Sequence, residues 1–363
     1  MNRNESFIIH GGVLKKYTGT EAEIILPKEI QKITSYAFAD CRALKSIVLP
    51  DGLTEIGAFA FIGCENLKEV CIPRSVTKLG DGIFSDCKGL EHFAVSPENT
   101  VYRSENDCLI QTSDEKLICG CRNSKIPKKT KEIAPYAFAG CKGLLHAELP
   151  DGLACIGDMA FLRCSGLESL SIPETVTKIG KSAFERCLRL REVRLPSGIT
   201  EIKESTFALC AGLLGIEIPI GVEKIGSAAF AFCKNLKRIH IPESVCKIGA
   251  LAFTHCRALP YVILPKKLVF AEALGENLPV IGVSLVLPFL NEEMRLQAAA
   301  GYAVAVYRNL ASYSEEKKKV YLAFILENRA ELSDFPKAEG AISLLLNEPE
   351  PNKKAGNAHF FIF

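Results

Sequence analysis

Nine phenylalanines, Phe38, Phe61, Phe84, Phe138, Phe161, Phe184, Phe207, Phe230 and Phe253, recur 23 residues apart in two registered blocks, each followed three residues on by a cysteine and six on by a leucine. A fixed period of this length dictates a repeat architecture. Each unit is one small supersecondary piece whose apolar face only its neighbours can cover, so the units stack into a solenoid with one continuous interior. Function in such a chain belongs to a surface rather than to a pocket.

The full unit reads I-G-x-x-A-F-x-x-C-x-x-L-x-x-[IV]-x-[IL]-P-x-x-[VL]-x-x, as in Ile56, Gly57, Ala60, Phe61, Cys64, Leu67, Val70, Ile72 and Pro73. Its last apolar positions alternate in, out, in, the period of a short strand, and the proline ends that strand because it has no amide hydrogen to continue a ladder. Phe38, Cys41 and Leu44 are spaced by three, which predicts one tight helical turn opposite the strand. The residue before each strand-ending proline position marks eleven rungs: Leu26, Leu49, Ile72, Val95, Ile126, Leu149, Ile172, Leu195, Ile218, Ile241 and Leu264. At about 4.8 Å per rung these predict a parallel sheet about 48 Å long.

One gap breaks the period. Val95 and Ile126 are 31 residues apart, and the Phe-Cys-Leu signature is missing between them. The runs 107–110 and 116–119 flank the turn-like Thr112-Ser113-Asp114-Glu115, which predicts a β-hairpin inserted at about 98–123 in place of the helical turn. Residues 7–9 and 13–17, either side of His10-Gly11-Gly12, predict a second hairpin that caps the first rung.

These residues carry a resemblance: the unit is similar to that of the BspA-like leucine-rich repeat family from about residue 7 to 265. Departures are small. Thr34, Ala134 and Lys203 stand where other units have glycine, and Thr206 replaces the alanine before Phe207. The resemblance implies a leucine-rich-repeat solenoid with a parallel β-sheet on one face and short helical turns on the other. It also implies a binding or adhesive module, often displayed on bacterial or protist surfaces, with no catalytic motif to carry over.

The expected organisation is a capping hairpin over 1–22, a solenoid over 23–265 and a C-terminal helical cap or module over 266–363. In that last part Asn291 precedes Glu292 and Glu293, and Ser314 precedes Glu315 and Glu316, each ahead of an apolar helical period. A third, shorter run covers 341–346. The closing His359-Phe360-Phe361-Ile362-Phe363 is apolar for a chain end.

Composition excludes disorder and bulk nucleic-acid affinity, with 48% apolar residues, 24% charged and a net charge of +2. Residues 1–6 lack the apolar core of a secretory signal, which predicts a cytoplasmic protein as given, or a surface one if further residues precede Met1. The apolar stretch 278–290 is 13 residues and holds Pro279 and Pro288, too short to cross a bilayer.

Of fifteen cysteines, nine form a ladder at Cys41, Cys64, Cys87, Cys141, Cys164, Cys187, Cys210, Cys233 and Cys256, where a small apolar side chain suits the interior. Nine cannot pair completely, so free thiols are expected. Cys108, Cys119 and Cys121 cluster in the insertion, but a C-x-C with one distant partner lacks a fourth metal ligand. No metal or other cofactor is expected.

Two columns of side chains should point outward from the strands. One runs Ile25, Val48, Cys71, Ala94, Lys125, Glu148, Ser171, Arg194, Glu217, His240 and Ile263; the other runs Glu23, Ser46, Glu69, His92, Asn123, His146, Ser169, Glu192, Gly215, Arg238 and Tyr261. They vary while the inner columns repeat. One reading is a solvated sheet with cross-strand pairs such as Arg194 with Glu217. The other is a partner-binding surface centred on Arg191, Glu192, Arg194, Lys237, Arg238, His240 and Tyr261, since Arg and Tyr are favoured anchors. No phosphate loop, H-E-x-x-H or triad spacing is present, and His92 and His146 stand about 10 Å apart at two rungs. The expectation is a non-catalytic protein-binding scaffold that binds no nucleic acid and does not insert into membranes. The alternative is an adhesin-like surface protein binding host or matrix proteins, with an enzyme a distant third.

Overall fold

The computed structural model describes residues 6–259 together with 262–263, 265, 270–271 and 280–281. The chain divides into two compact units, Met1–Leu259 with Ala271–Leu278, and Pro260–Phe270 with Pro279–Phe363.

The first unit is a β-solenoid, and most of its turns carry two short strands rather than one; the rung at 123–126 has no strand and the rung at 146–149 only a single bridge. The first ladder contains the alternating segments: Glu23–Ile25 pairs in parallel with Ser46–Val48, Glu69–Ile72 with His92–Val95, Ser169–Ser171 with Glu192–Arg194, and Gly215–Glu217 with Arg238–His240. The second is made of two-residue strands such as Lys32–Ile33, Glu55–Ile56 and Lys78–Leu79, in register with one another and continued beyond the insertion by Glu132–Ile133, Cys155–Ile156 and Lys178–Ile179. A tight turn joins the two ladders. In most turns the carbonyl of the strand-ending proline accepts from the amide three residues on, as Pro50 does from Leu53 and Pro173 from Val176, and this turns that residue back into the interior.

The phenylalanines stack ring over ring along the axis in two runs, Phe38 to Phe84 and Phe138 to Phe253, either side of the insertion. Centroids lie 4.9 Å apart for Phe38 and Phe61, and 5.6 Å for Phe230 and Phe253, where the rings are within 1° of parallel. At the N-terminal end the antiparallel hairpin Phe7–His10 with Val13–Tyr17 continues the stack: Tyr17 lies 5.3 Å from Phe38, and Phe7 lies 5.2 Å from Tyr17. The first ring of the solenoid is thereby covered rather than wet.

The expected helical turns are absent; no described residue is helical. The reason lies in where the amides point. Ala37, Ala39 and Cys41 donate to carbonyls three residues back, whereas the intervening Tyr36, Phe38 and Asp40 donate across to Ala58, Ala60 and Ile62 of the next turn. A helix would require every amide to point along the local axis. The alternation is made by left-handed residues two before and two after each phenylalanine, such as Tyr36 at φ 62° and Asp40 at φ 58°, or Ser205 at 54° and Leu209 at 60°. Spacing by three comes from this stepped turn. The α-helical C-terminal region is also corrected where it is described: Phe270–Ala271 is strand, and Val262–Ile263 pairs in parallel with Val280–Ile281. The helices predicted over 291–306, 314–326 and 341–346 lie outside the described residues.

The insertion is three antiparallel strands, Tyr102–Glu105, Cys108–Gln111 and Lys116–Gly120. It leaves the solenoid unbroken on the turn side, where the Asp86 amide donates to Ala139 at 2.9 Å and Arg163 reaches back to Asp86 at 3.0 Å. Gly140 stands between those two. A Cβ on it would lie 2.6 Å from the Asp86 Cα, and its φ is 80°, so no other residue fits. Asn99 secures the start of the insertion by donating to the Pro73 and Val76 carbonyls and accepting from the Val101 and Tyr102 amides, all within 3.0 Å. The buried Tyr102 hydroxyl then accepts from the Leu79 amide at 3.2 Å, satisfying the last two-residue strand before the gap.

Candidate functional site

The first strand ladder has one face buried and one exposed, since successive side chains alternate. Val193 and Ile216 point in and are buried; Glu192, Arg194, Glu217, Arg238 and His240 point out and are exposed. Register sets Gly215 beside Arg238 and Glu217 beside His240. Just outside the strand, Arg191, Leu214 and Lys237 form a third column. The Arg191 carbonyl accepts from the Leu214 amide at 3.2 Å, and the Leu214 carbonyl accepts from the Lys237 amide at 3.0 Å, which holds their spacing rung by rung.

Gly215 changes the relief of this face. With no side chain between Glu192 and Arg238, it leaves a groove of about 840 Å³ lined by Arg191, Glu192, Leu214, Glu217, Lys237, Arg238 and His240. Arg238 lies along it: a Cβ on Gly215 would sit 3.2 Å from the Arg238 Cγ and 3.3 Å from its Nε. Leu214, 43% exposed, forms an apolar wall.

Five of the seven residues predicted from the sequence therefore share one groove: Arg191, Glu192, Lys237, Arg238 and His240. Arg194 is not among the lining residues. Its ion pair is with Glu174 at 4.0 Å, where a cross-strand partner in Glu217 was expected. Tyr261 lies outside the described residues. Leu214, Gly215 and Glu217 complete the groove and were not singled out from the sequence; the clue was a glycine in a column that otherwise carries side chains.

At the other end of the same ladder the outward column is apolar. Ile25 is 73% exposed and sits in register with Val48 at 58%, and the exposed Cys71 pairs with the exposed Ala94. The C-terminal equivalents are Ser171, Arg194, Glu217 and His240.

His92 and His146 do not meet. The His92 ring bonds Asp107 of the insertion at 2.9 Å, and the pair holds the imidazole pKa above its ordinary value. His146 forms a lone bridge with Ser169. In the insertion Cys121 donates to the Glu91 carbonyl at 2.9 Å, and Cys108 to the Lys125 carbonyl at 3.7 Å. Among the described residues no three His, Cys, Asp or Glu side chains are grouped so as to hold a metal ion, and no helix there is long and apolar enough to cross a membrane. All fifteen cysteines are free.

The chain matches the family described as BspA type Leucine rich repeat region in six copies, over residues 16–118, 116–221 and 208–273. Among solved structures it is similar to a leucine-rich repeat protein from Eubacterium ventriosum, at 23% identity over 75% of this chain and 79% of that one, with a TM-score of 0.64. It is also similar to a leucine rich cell surface protein from Faecalibacterium prausnitzii, at 24% identity over 71% of this chain and 93% of the other, with a TM-score of 0.42. The pneumococcal vaccine antigen PcpA is 19% identical over 70% of this chain and 69% of its own, with a TM-score of 0.46. At these identities the first bears on the fold alone, and the TM-scores of the other two are too low to carry an argument. No curated protein matches.

Proposed function

Because the chain belongs to the BspA-type leucine-rich repeat family, we propose that it is a non-catalytic scaffold whose exposed strand face binds a macromolecular partner, a protein. The observation that carries this reading is the contrast between the two sides of each strand. Inward positions stay apolar in nearly every turn, as Ile24, Ile47, Val70, Phe93, Leu170, Val193 and Ile216 do, whereas outward positions change at every rung and at Gly215 open into a groove rimmed by Arg191, Lys237 and Arg238. Stacking explains the first and makes no demand on the second. Arginine beside an apolar wall is a favoured anchor at protein interfaces.

The test is a comparison of three immobilised proteins in capture of native proteins: wild type, the triple variant Arg191→Glu, Arg194→Glu, Arg238→Glu, and a turn-side control, Arg42→Glu. The expected result is a partner retained by wild type and control and lost by the triple variant. Equal capture by all three would remove the strand face as the binding surface.

A further inference from the structure

The groove at Gly215 is set apart by the state of its arginines. Residues 6–259 contain eleven: Arg42, Arg74, Arg103, Arg122, Arg163, Arg186, Arg189, Arg191, Arg194, Arg238 and Arg257. Eight of them have a carboxylate within 4.0 Å. The three without one among the described residues are Arg191, Arg238 and Arg257, and two of these three line the same groove, together with Lys237, which likewise has none. Of the nine arginines outside the groove eight are paired, and the two inside it are open.

We propose that this groove seats a glutamate or aspartate side chain from an acidic, extended segment of the partner protein, a reading that rests on the strand face being the binding surface. Arg191 and Arg238 stand one rung either side of Gly215, so their long side chains converge on an occupant above it. A guanidinium offers a planar fork that matches a carboxylate. Leu214 gives the methylene stem of a glutamate an apolar surface, and the missing Cβ of Gly215 gives the depth. Charge also argues against a nucleic-acid backbone. Glu192 and Glu217 lie in the same groove and leave Arg191, Lys237 and Arg238 only one positive charge ahead, which suits a single carboxylate and disfavours a run of phosphates.

The probe is a fluorescein-labelled octapeptide alternating Glu and Ala, followed by fluorescence anisotropy at low salt, with its Lys-Ala counterpart and a single-stranded oligothymidine as comparisons. The expected result is saturable binding of the acidic peptide that weakens about tenfold or more in Arg191→Gln and Arg238→Gln. Gly215→Leu, which fills the groove, should weaken it similarly, while Arg257→Gln, which changes the third unpaired arginine, should leave it unchanged. Unchanged thermal midpoints keep the comparison free of misfolding. No saturable binding, equal loss in Arg257→Gln, or tighter binding of the oligothymidine would each overturn the acidic occupant. If partner capture still depends on Arg191, Arg194 and Arg238 while the peptide fails to bind, the binding face stands and the proposed occupant falls.

Discussion

The thiol of Cys164 donates to the carbonyl oxygen of Phe138 at 3.1 Å, across the gap between successive turns. The same bond joins Cys64 to Phe38, Cys87 to Phe61, Cys187 to Phe161, Cys210 to Phe184, Cys233 to Phe207 and Cys256 to Phe230, each within 3.2 Å. In these seven turns the cysteine is thus a volume filler that also gives a second donor to a buried carbonyl already accepting from a backbone amide, as that of Phe138 does from Cys141, a task neither alanine nor valine can perform.

From this pairing we expect Cys187→Ala to destabilise the solenoid by about 1–2 kcal/mol, combining a small cavity with loss of the second hydrogen bond to the Phe161 carbonyl, which keeps the Cys164 amide. Urea unfolding followed by circular dichroism measures it; a neutral substitution would show that the thiol bond contributes nothing.

Burial pushes the Cys256 thiol up to about 12 and those of Cys164, Cys187 and Cys210 far above the ordinary range. The thiolate is the reactive form, so at pH 8 a thiol reagent should label the exposed Cys71 first. The seven buried members of the column, all but Cys41 and Cys141, should react only as the chain unfolds. Mass spectrometry of labelled peptides over time distinguishes the two classes, and prompt labelling of those seven would contradict the burial argument.

The left-handed residues flanking each phenylalanine hold a conformation that costs a residue with a Cβ roughly 1–2 kcal/mol relative to glycine. Ser205, at φ 54°, is half-buried and makes its hydrogen bonds through its backbone amide and carbonyl. Ser205→Gly should raise stability by about 0.5–1 kcal/mol after the added freedom of the unfolded chain is subtracted. Ser205→Val should lower it. A thermal melt that ranks the three in any other order would refute the assignment.

Asn99 makes four hydrogen bonds, two donated and two accepted. Asn99→Ala leaves backbone groups without partners and should cost about 2–4 kcal/mol. The effect should centre on the insertion. Hydrogen exchange should therefore rise first in Tyr102–Glu105 and Cys108–Gln111; uniform loss of protection along the solenoid would argue against a local clasp.

The His92–Asp107 pair links the strand face to the insertion, and the folded-state pKa of His92 is raised above 6.5, chiefly by the Asp107 hydrogen bond. A histidine with a raised folded pKa contributes stability that is fully present below its unfolded value near 6.5 and is lost as pH rises through the folded one. Docking of the insertion should therefore loosen as pH climbs from about 6.5 through the raised value. NMR titration of His92 reads the shift, and His92→Gln should abolish the pH dependence. A His92 titrating at the ordinary value would dissolve the link.

How far the fold was readable from the residues depends on what each residue had to satisfy. Phe38, Cys64, Leu67 and Ile72 answer only to the interior, and their period reported the solenoid, its stacked core and the outward columns. The two-residue strands Lys32–Ile33 and Glu55–Ile56 escaped detection because two positions cannot display an alternation. The helical turn was misread because spacing by three is common to a tight helix and to a stepped turn. The groove was half readable: its charged rim was named from the sequence, while Leu214 and Gly215 were passed over because their importance lies in what stands beside them.

Sequence alone determined that units of 23 residues must bury one face against their neighbours, since that follows from which side chains are apolar and how often they recur. Tertiary structure alone decided where the amides of Tyr36, Phe38 and Asp40 go, because their partners, Ala58, Ala60 and Ile62, belong to the next turn and exist only once it has stacked. The same holds for the open arginines. Whether a guanidinium finds a carboxylate is set by the distance between rungs, which no single segment of chain encodes.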